Sequence, residues 1–142
     1  MKSEKDFSLD ERIESDSILI GDLPLCKFLL MNDSNYPWFL LVPRRVEIKE
    51  IFDLSEDDRK QLDFETVEVS KFIKSSFNPE KINIASLGNI VSQFHVHIIA
   101  RYTDDISWPD PVWGKYPYNE YKGTQSDDLL KISKSFVNKF KI

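Results

Sequence analysis

The chain has 142 residues, 41% of them hydrophobic and 30% charged, which suits one globular domain over residues 1–142 with a single core. Its 19 Lys plus Arg against 24 Asp plus Glu give a formal charge of −5 with no long basic run, which argues against electrostatically driven binding to long nucleic acid but leaves single nucleotides open. One cysteine, Cys26, excludes an intramolecular disulfide; the charged start "MKSEKDFSLD" lacks a signal peptide's apolar core, and no apolar run approaches the roughly 18 residues of a membrane span, so the sequence reads as cytoplasmic with no membrane partner.

After a polar lead-in, "SILIGDLPLCKFLLMND" offers two apolar runs, Ser17 to Ile20 and Cys26 to Met31, separated by Gly21, Asp22 and Pro24: strand, turn, strand. "SNYP" makes a second turn and "WFLLVP" a third strand, an antiparallel meander. The basic pair Arg44 and Arg45 that follows reads as a solvated turn, and Cys26 as a small core residue. Ser55 is an N-cap for the main helix: acidic residues fill the first turn, and Leu62, Val69, Ile73 and Phe77 recur at helical spacing. "INIASL" and "FHVHIIARY" read as two more strands around Gly88 and Asn89, giving an α+β domain. The segment "DDISWPDPVWGKYPYNEYKG" is too aromatic for a disordered linker, so it is expected to be an ordered loop, with Trp108 and Trp113 as packing anchors. Ser126, Asp127 and Asp128 open a last helix with Leu129, Ile132, Phe136 and Phe140 on its apolar face, so that the aromatic loop and helix together occupy residues 103–142.

The only two histidines, His95 and His97, stand in "SQFHVHIIAR" at alternate positions. In a strand, Gln93, His95, His97 and Ile99 share one face while Phe94, Val96 and Ile98 turn to the core. A lone strand histidine is usually a hydrogen-bonded structural side chain; two on one face favour chemistry. Three readings compete. A zinc site needs three or four ligands, and the chain has no third histidine and no cysteine pair, so the metal reading of His-x-His is weak and no metal is expected. A nucleophilic imidazole attacking phosphorus while its neighbour donates to a phosphate oxygen needs only these two groups and no cofactor. The same groups would also serve a non-catalytic nucleotide-binding protein.

"GNIVSQFHVHIIAR" closely resembles the signature strand of the histidine triad (HIT) nucleotide hydrolases and transferases, with Gln93, His95 and His97 at the three triad positions. "LLMND", "FLLVPRR" and "SWPDPVWG" extend the likeness over about residues 17–114, nearest to the bacterial group labelled diadenosine polyphosphate hydrolases. The resemblance implies a five-stranded antiparallel half-barrel with a main helix and a homodimer formed through that helix and the strand before the triad. It implies that His95 attacks the α-phosphate of an AMP-containing ester, amidate or anhydride to form a nucleotidyl-histidine, and that His97 donates to phosphate. Asn89 would lie near the leaving oxygen, Asn32 or Asp33 near the ribose, and Asn83, less directly, near phosphate. The departure is Gln93, where relatives carry histidine. In the family the first position orients the nucleophile through its backbone carbonyl, which any residue supplies, so Gln93 is expected to preserve the tautomer of His95.

Overall fold

The computed structural model describes residues 6–140; the first five and last two residues of the domain read from the sequence lie outside the described residues. Strands form along the apolar runs: β1 (Ser17–Asp22), β2 (Cys26–Met31), β3 (Trp38–Pro43), β4 (Lys81–Ala85) and β5 (Val96–Arg101). They make one antiparallel sheet in the order β1-β2-β3-β5-β4. β3 and β5 are buried along their whole length because both faces of the sheet are covered, which is why they read as near-continuous apolar runs.

One face packs against the main helix, α2 (Glu56–Phe77), and the last helix, α3 (Asp127–Phe140). Ser55 caps α2 by accepting from the N–H of Asp58, and Asn78 ends it in the left-handed region at φ 46°. The buried side chains of α2 include Leu62, Val69, Phe72 and Ile73, and one charge, Glu65. Glu65 is tolerated there because its carboxylate accepts from the backbone N–H groups of Leu25 (2.7 Å) and Cys26 (3.0 Å) and from the Gln61 amide (2.7 Å), bolting the helix to the turn before β2. On α3, Phe136 stacks on Phe72 at 4.6 Å and Val137 meets Gly21, where an added Cβ would lie 3.1 Å from a Val137 methyl. Glycine there lets α3 approach the bulge between Leu19 and Gly21.

The second face carries a smaller core, with Leu29, Met31, Trp38, Leu40 and Ile99 under a short helix, α1 (Glu11–Asp16), and the C-terminal loop. The alternation expected for the triad strand holds: Phe94, Val96, Ile98 and Ala100 join the helical core, and Ile99 the second.

Four sequence expectations are corrected. The polar lead-in contains α1, capped by Asp10 and anchored by buried Ile13; six residues with one apolar contact give no periodic signal. Regular strand pairing begins at Val96, so His95 precedes β5. Arg44 is no solvated turn residue: it is 9% exposed and donates to the carbonyls of Leu23 and Pro24, while Arg45 forms a bidentate pair with Asp58. Ile132 is exposed, and Val137 takes the buried place on α3. Cys26 is fully buried in the core. Among the described residues no helix is long and apolar enough to cross a membrane.

Candidate active site

The antiparallel register of β3 and β5 sets Leu40 opposite His97 and Trp38 opposite Ile99, so Trp38 and His97 are diagonal neighbours on the second face. His95 and His97 are 7% and 6% exposed, their rings edge to face with centroids 4.8 Å apart. Both border a cavity of about 370 Å³ between the sheet, α1, the 87–91 segment and the C-terminal loop.

Each imidazole is fixed through its Nδ1, by a different partner. His95 Nδ1 lies 2.7 Å from the backbone carbonyl of Gln93. A carbonyl oxygen only accepts, so in the neutral ring Nδ1 carries the proton and Nε2 keeps its lone pair. His97 Nδ1 instead accepts from the Trp38 indole N–H at 3.0 Å, leaving the proton on Nε2. Among the described residues no buried side-chain nitrogen or oxygen lacks a partner, so the two Nε2 atoms, which no hydrogen bond engages, are the ones open to the cavity. Burial, with a smaller contribution from His95, pulls the His97 pKa down from 6.5 to about 3, so this ring is neutral at ordinary pH.

Gln93 contributes its carbonyl but not its side chain. The amide turns outward, accepting from the N–H of Asp10 (2.8 Å) and donating to the carbonyl of Ser8 (2.9 Å). Because Asp10 also caps α1, Gln93 ties the triad segment to the helix whose Arg12, Ile13 and Asp16 line the cavity. Asn89 lines it too, exposed, one residue after Gly88, whose φ of 80° turns the 87–91 segment around the opening.

The other three sequence candidates lie elsewhere, each with its oxygen committed. Asn32 Oδ1 accepts from the N–H of Tyr121 (3.0 Å). Asp33, 2% exposed, accepts from the N–H groups of Asn35 (3.1 Å) and Asn119 (3.2 Å). Together they pin the C-terminal loop to the end of β2, and that loop brings Trp113, Tyr116 and Tyr118 to the cavity. Asn83 Oδ1 accepts from Arg101 (2.8 Å), away from the imidazoles. Sequence reasoning missed Arg12, Asp16 and Trp38 as wall residues. Trp113, read as a packing anchor, both packs on Trp38 (5.9 Å) and meets His97 nearly at right angles (5.0 Å). Among the described residues no group of three or more His, Cys, Asp or Glu side chains is placed to hold a metal ion.

Comparison with known proteins meets this geometry. The model of the HIT domain matches residues 12–104. The fold is similar to crystal structures of a histidine triad protein from Bradyrhizobium japonicum (46% identity, TM-score 0.90, 92% of this chain and 98% of that one) and another from Sinorhizobium meliloti (44%, 0.90, 94% and 98%). A third, from Marinobacter aquaeolei, has 38% identity and a TM-score of 0.92 over 95% of this chain and 98% of that one. No curated protein matches the sequence. With two imidazoles side by side at the positions that the signature predicts, and relatives alike over nearly their whole length, the chain belongs to the histidine triad (HIT) domain family.

Proposed function

We propose that this protein is a nucleotide hydrolase or nucleotidyl transferase that works through a covalent nucleotidyl-histidine on His95. Family membership supports nucleotide chemistry in general; the observation that carries the finer reading is the 2.7 Å contact between His95 Nδ1 and the Gln93 carbonyl. A nucleophilic imidazole needs one nitrogen's proton held and the other's lone pair free, and this contact provides both without a histidine at position 93. The Nε2 lone pair forms a bond to the α-phosphorus as the bond from phosphorus to the leaving group breaks, and that group departs with the electron pair. The Nδ1 proton stays on the ring, where the Gln93 carbonyl stabilises the resulting cation. Water, or another acceptor, then attacks phosphorus, releases His95 and gives up a proton. His97 and Asn89 supply hydrogen bonds to the oxygens that gather charge.

The nucleoside is assigned to the wall made by Trp113 and Met31, with the Asp16 carboxylate as acceptor for ribose hydroxyls. Dinucleoside polyphosphates containing AMP are one substrate class to test. A homodimer through α2 and β4 is part of the same proposal: Phe64 and Val67 on α2, Ile84 on β4 and Leu87 and Ile90 beyond it leave apolar surface exposed on that side.

The decisive experiment incubates wild type and His95→Ala with diadenosine polyphosphates and adenosine phosphoramidates labelled at the α-phosphate. Acid-labile label on the wild-type protein, absent from the variant, is expected. Equal inertness of both proteins across the panel, with nucleotide still bound, would leave a binding protein and end the enzymatic reading.

A further inference from the structure

We propose that Trp38 is a positioning residue for His97: its indole N–H holds the imidazole in the neutral Nε2–H tautomer, so His97 serves phosphate as a hydrogen-bond donor that keeps its proton. The inference rests on the nucleotide reading of the cavity for its consequence, but on geometry alone for the tautomer.

An indole N–H donates and never accepts, so the 3.0 Å contact fixes His97 Nδ1 as the acceptor. Trp38 is 1% exposed and cannot turn to water; Trp113 and Tyr118 pack against it nearly at right angles, with ring centroids 5.9 and 5.8 Å away. A proton on His97 Nδ1 would set two donors against each other at a contact buried with Trp38, which disfavours both the alternative tautomer and the imidazolium. The titratable and charged groups around the cavity are His95 beside β5, Arg12 and Asp16 on α1, and Tyr116 and Tyr118 on the C-terminal loop. None of them bonds His97 Nδ1, which Trp38 occupies. The depressed pKa of His97 agrees with this arrangement, burial being its larger cause.

The two adjacent rings therefore hold opposite tautomers. His95 presents a lone pair from Nε2, because a carbonyl takes its Nδ1 proton; His97 presents N–H from Nε2, because an indole fills its Nδ1 lone pair. His97 thus cannot compete as a nucleophile. In the transfer step its proton remains on nitrogen while the bond between phosphorus and the leaving group breaks, so a phosphate or nucleotide leaving group departs as the anion, whereas the nitrogen of a phosphoramidate takes its proton from solvent as the P–N bond breaks.

The test is heteronuclear NMR of the full-length chain labelled with 15N. For wild-type His97 we expect Nδ1 in the range of an unprotonated acceptor, Nε2 in the range of a protonated nitrogen, both unmoved between about pH 5 and 8. A through-bond 15N–15N coupling should link Nδ1 to the Trp38 indole nitrogen. In Trp38→Phe, which keeps a ring without the N–H, the coupling disappears and the two His97 shifts move toward each other as both tautomers populate. Wild-type His97 carrying its proton on Nδ1, an imidazolium at neutral pH, or His97 shifts in the variant identical to wild type would each overturn the proposal. If Trp38→Phe does not fold, the wild-type spectrum alone decides. Because the spectrum reads the resting protein, it answers whether or not any nucleotide is turned over, whereas the labelling of His95 tests the function alone.

Discussion

The two ends of one strand face solve the problem of burying polar groups in opposite ways. At the far end of β5, Arg101 is 1% exposed and commits all three guanidinium nitrogens: a bidentate pair with Asp105 (2.8 and 3.1 Å), a bond to Asn83 (2.8 Å) and one to the carbonyl of Asp110 (2.8 Å), between the faces of Tyr36 and Trp108. Burial works against the Asp105 carboxylate, but the bonds from Arg101 and from the N–H groups of Tyr102 and Ser107 outweigh it and hold its pKa below the ordinary value. At the near end, His95 and His97 are almost as buried, yet each satisfies one nitrogen and leaves the other to a cavity. A buried charge with every nitrogen paired is structure; a buried neutral ring with one nitrogen in reserve is chemistry. Removing a group from either end should therefore cost different things.

The largest effect is expected at His95. His95→Ala loses the attacking lone pair, and kcat should fall by at least about 10⁴-fold, as when other covalent nucleophiles are removed. Its stability should drop by only about 1 kcal/mol, the order of the one hydrogen bond to Gln93. Turnover assays beside denaturant unfolding check both halves. Arg101→Met should show the reverse: Asp105 is left buried without its partner, costing roughly 3–5 kcal/mol in unfolding free energy, while the folded fraction keeps the wild-type rate. A variant at Arg101 that folds normally but does not turn over would break the division between the two ends.

How much of this contrast was legible in the sequence follows from range. The meander, the helix behind Ser55 and the two-residue period of "FHVHIIAR" are local patterns, and they place His95 and His97 on one face without any tertiary information. Extending that period past Ile99 would have put Arg101 on the same face. The Trp38 contact to His97 spans 59 residues and depends on the register of β3 against β5, which no local signal carries. The same holds for Asn32, Asp33 and Asn83: the family resemblance implies ligand contacts for them, but tertiary hydrogen bonding to loop N–H groups and to Arg101 decides where their oxygens go. α1 hid because a six-residue helix with one buried side chain shows no period at all.

pH should sharpen the comparison further, with a smaller effect. His97 has a pKa of about 3 in the folded protein against 6.5 ordinarily, so in between the unfolded chain binds a proton that the native one refuses. Stability then rises with pH in that window and is lost as pH falls through about 6.5. Between about pH 7 and 5 the loss attributable to His97 should be on the order of 1–2 kcal/mol, and His97→Gln should flatten it. Asp105 at the other end, with its pKa held below 3.8, contributes stability that is present above that value and lost only as pH falls beneath it. Acid unfolding of wild type, His97→Gln and Arg101→Met should resolve the two windows; a His97→Gln profile parallel to wild type above pH 5 would count against a neutral buried His97.

Only a small effect on rate is expected at the position where this chain departs from the triad. Gln93→Ala keeps the backbone carbonyl that holds His95 Nδ1 and removes only the amide's bonds to Asp10 and Ser8. Those bonds fix the start of α1, so the cost should fall on stability, by about 1–2 kcal/mol, and on KM through Arg12, Ile13 and Asp16. kcat should stay within about threefold of wild type, since an interaction absent from the reacting atoms removes binding rather than transition-state stabilisation. Steady-state kinetics on the substrate that labels His95 separates the two parameters. A fall in kcat approaching that of His95→Ala would mean that the amide itself enters the chemistry, and that the carbonyl alone does not orient the nucleophile.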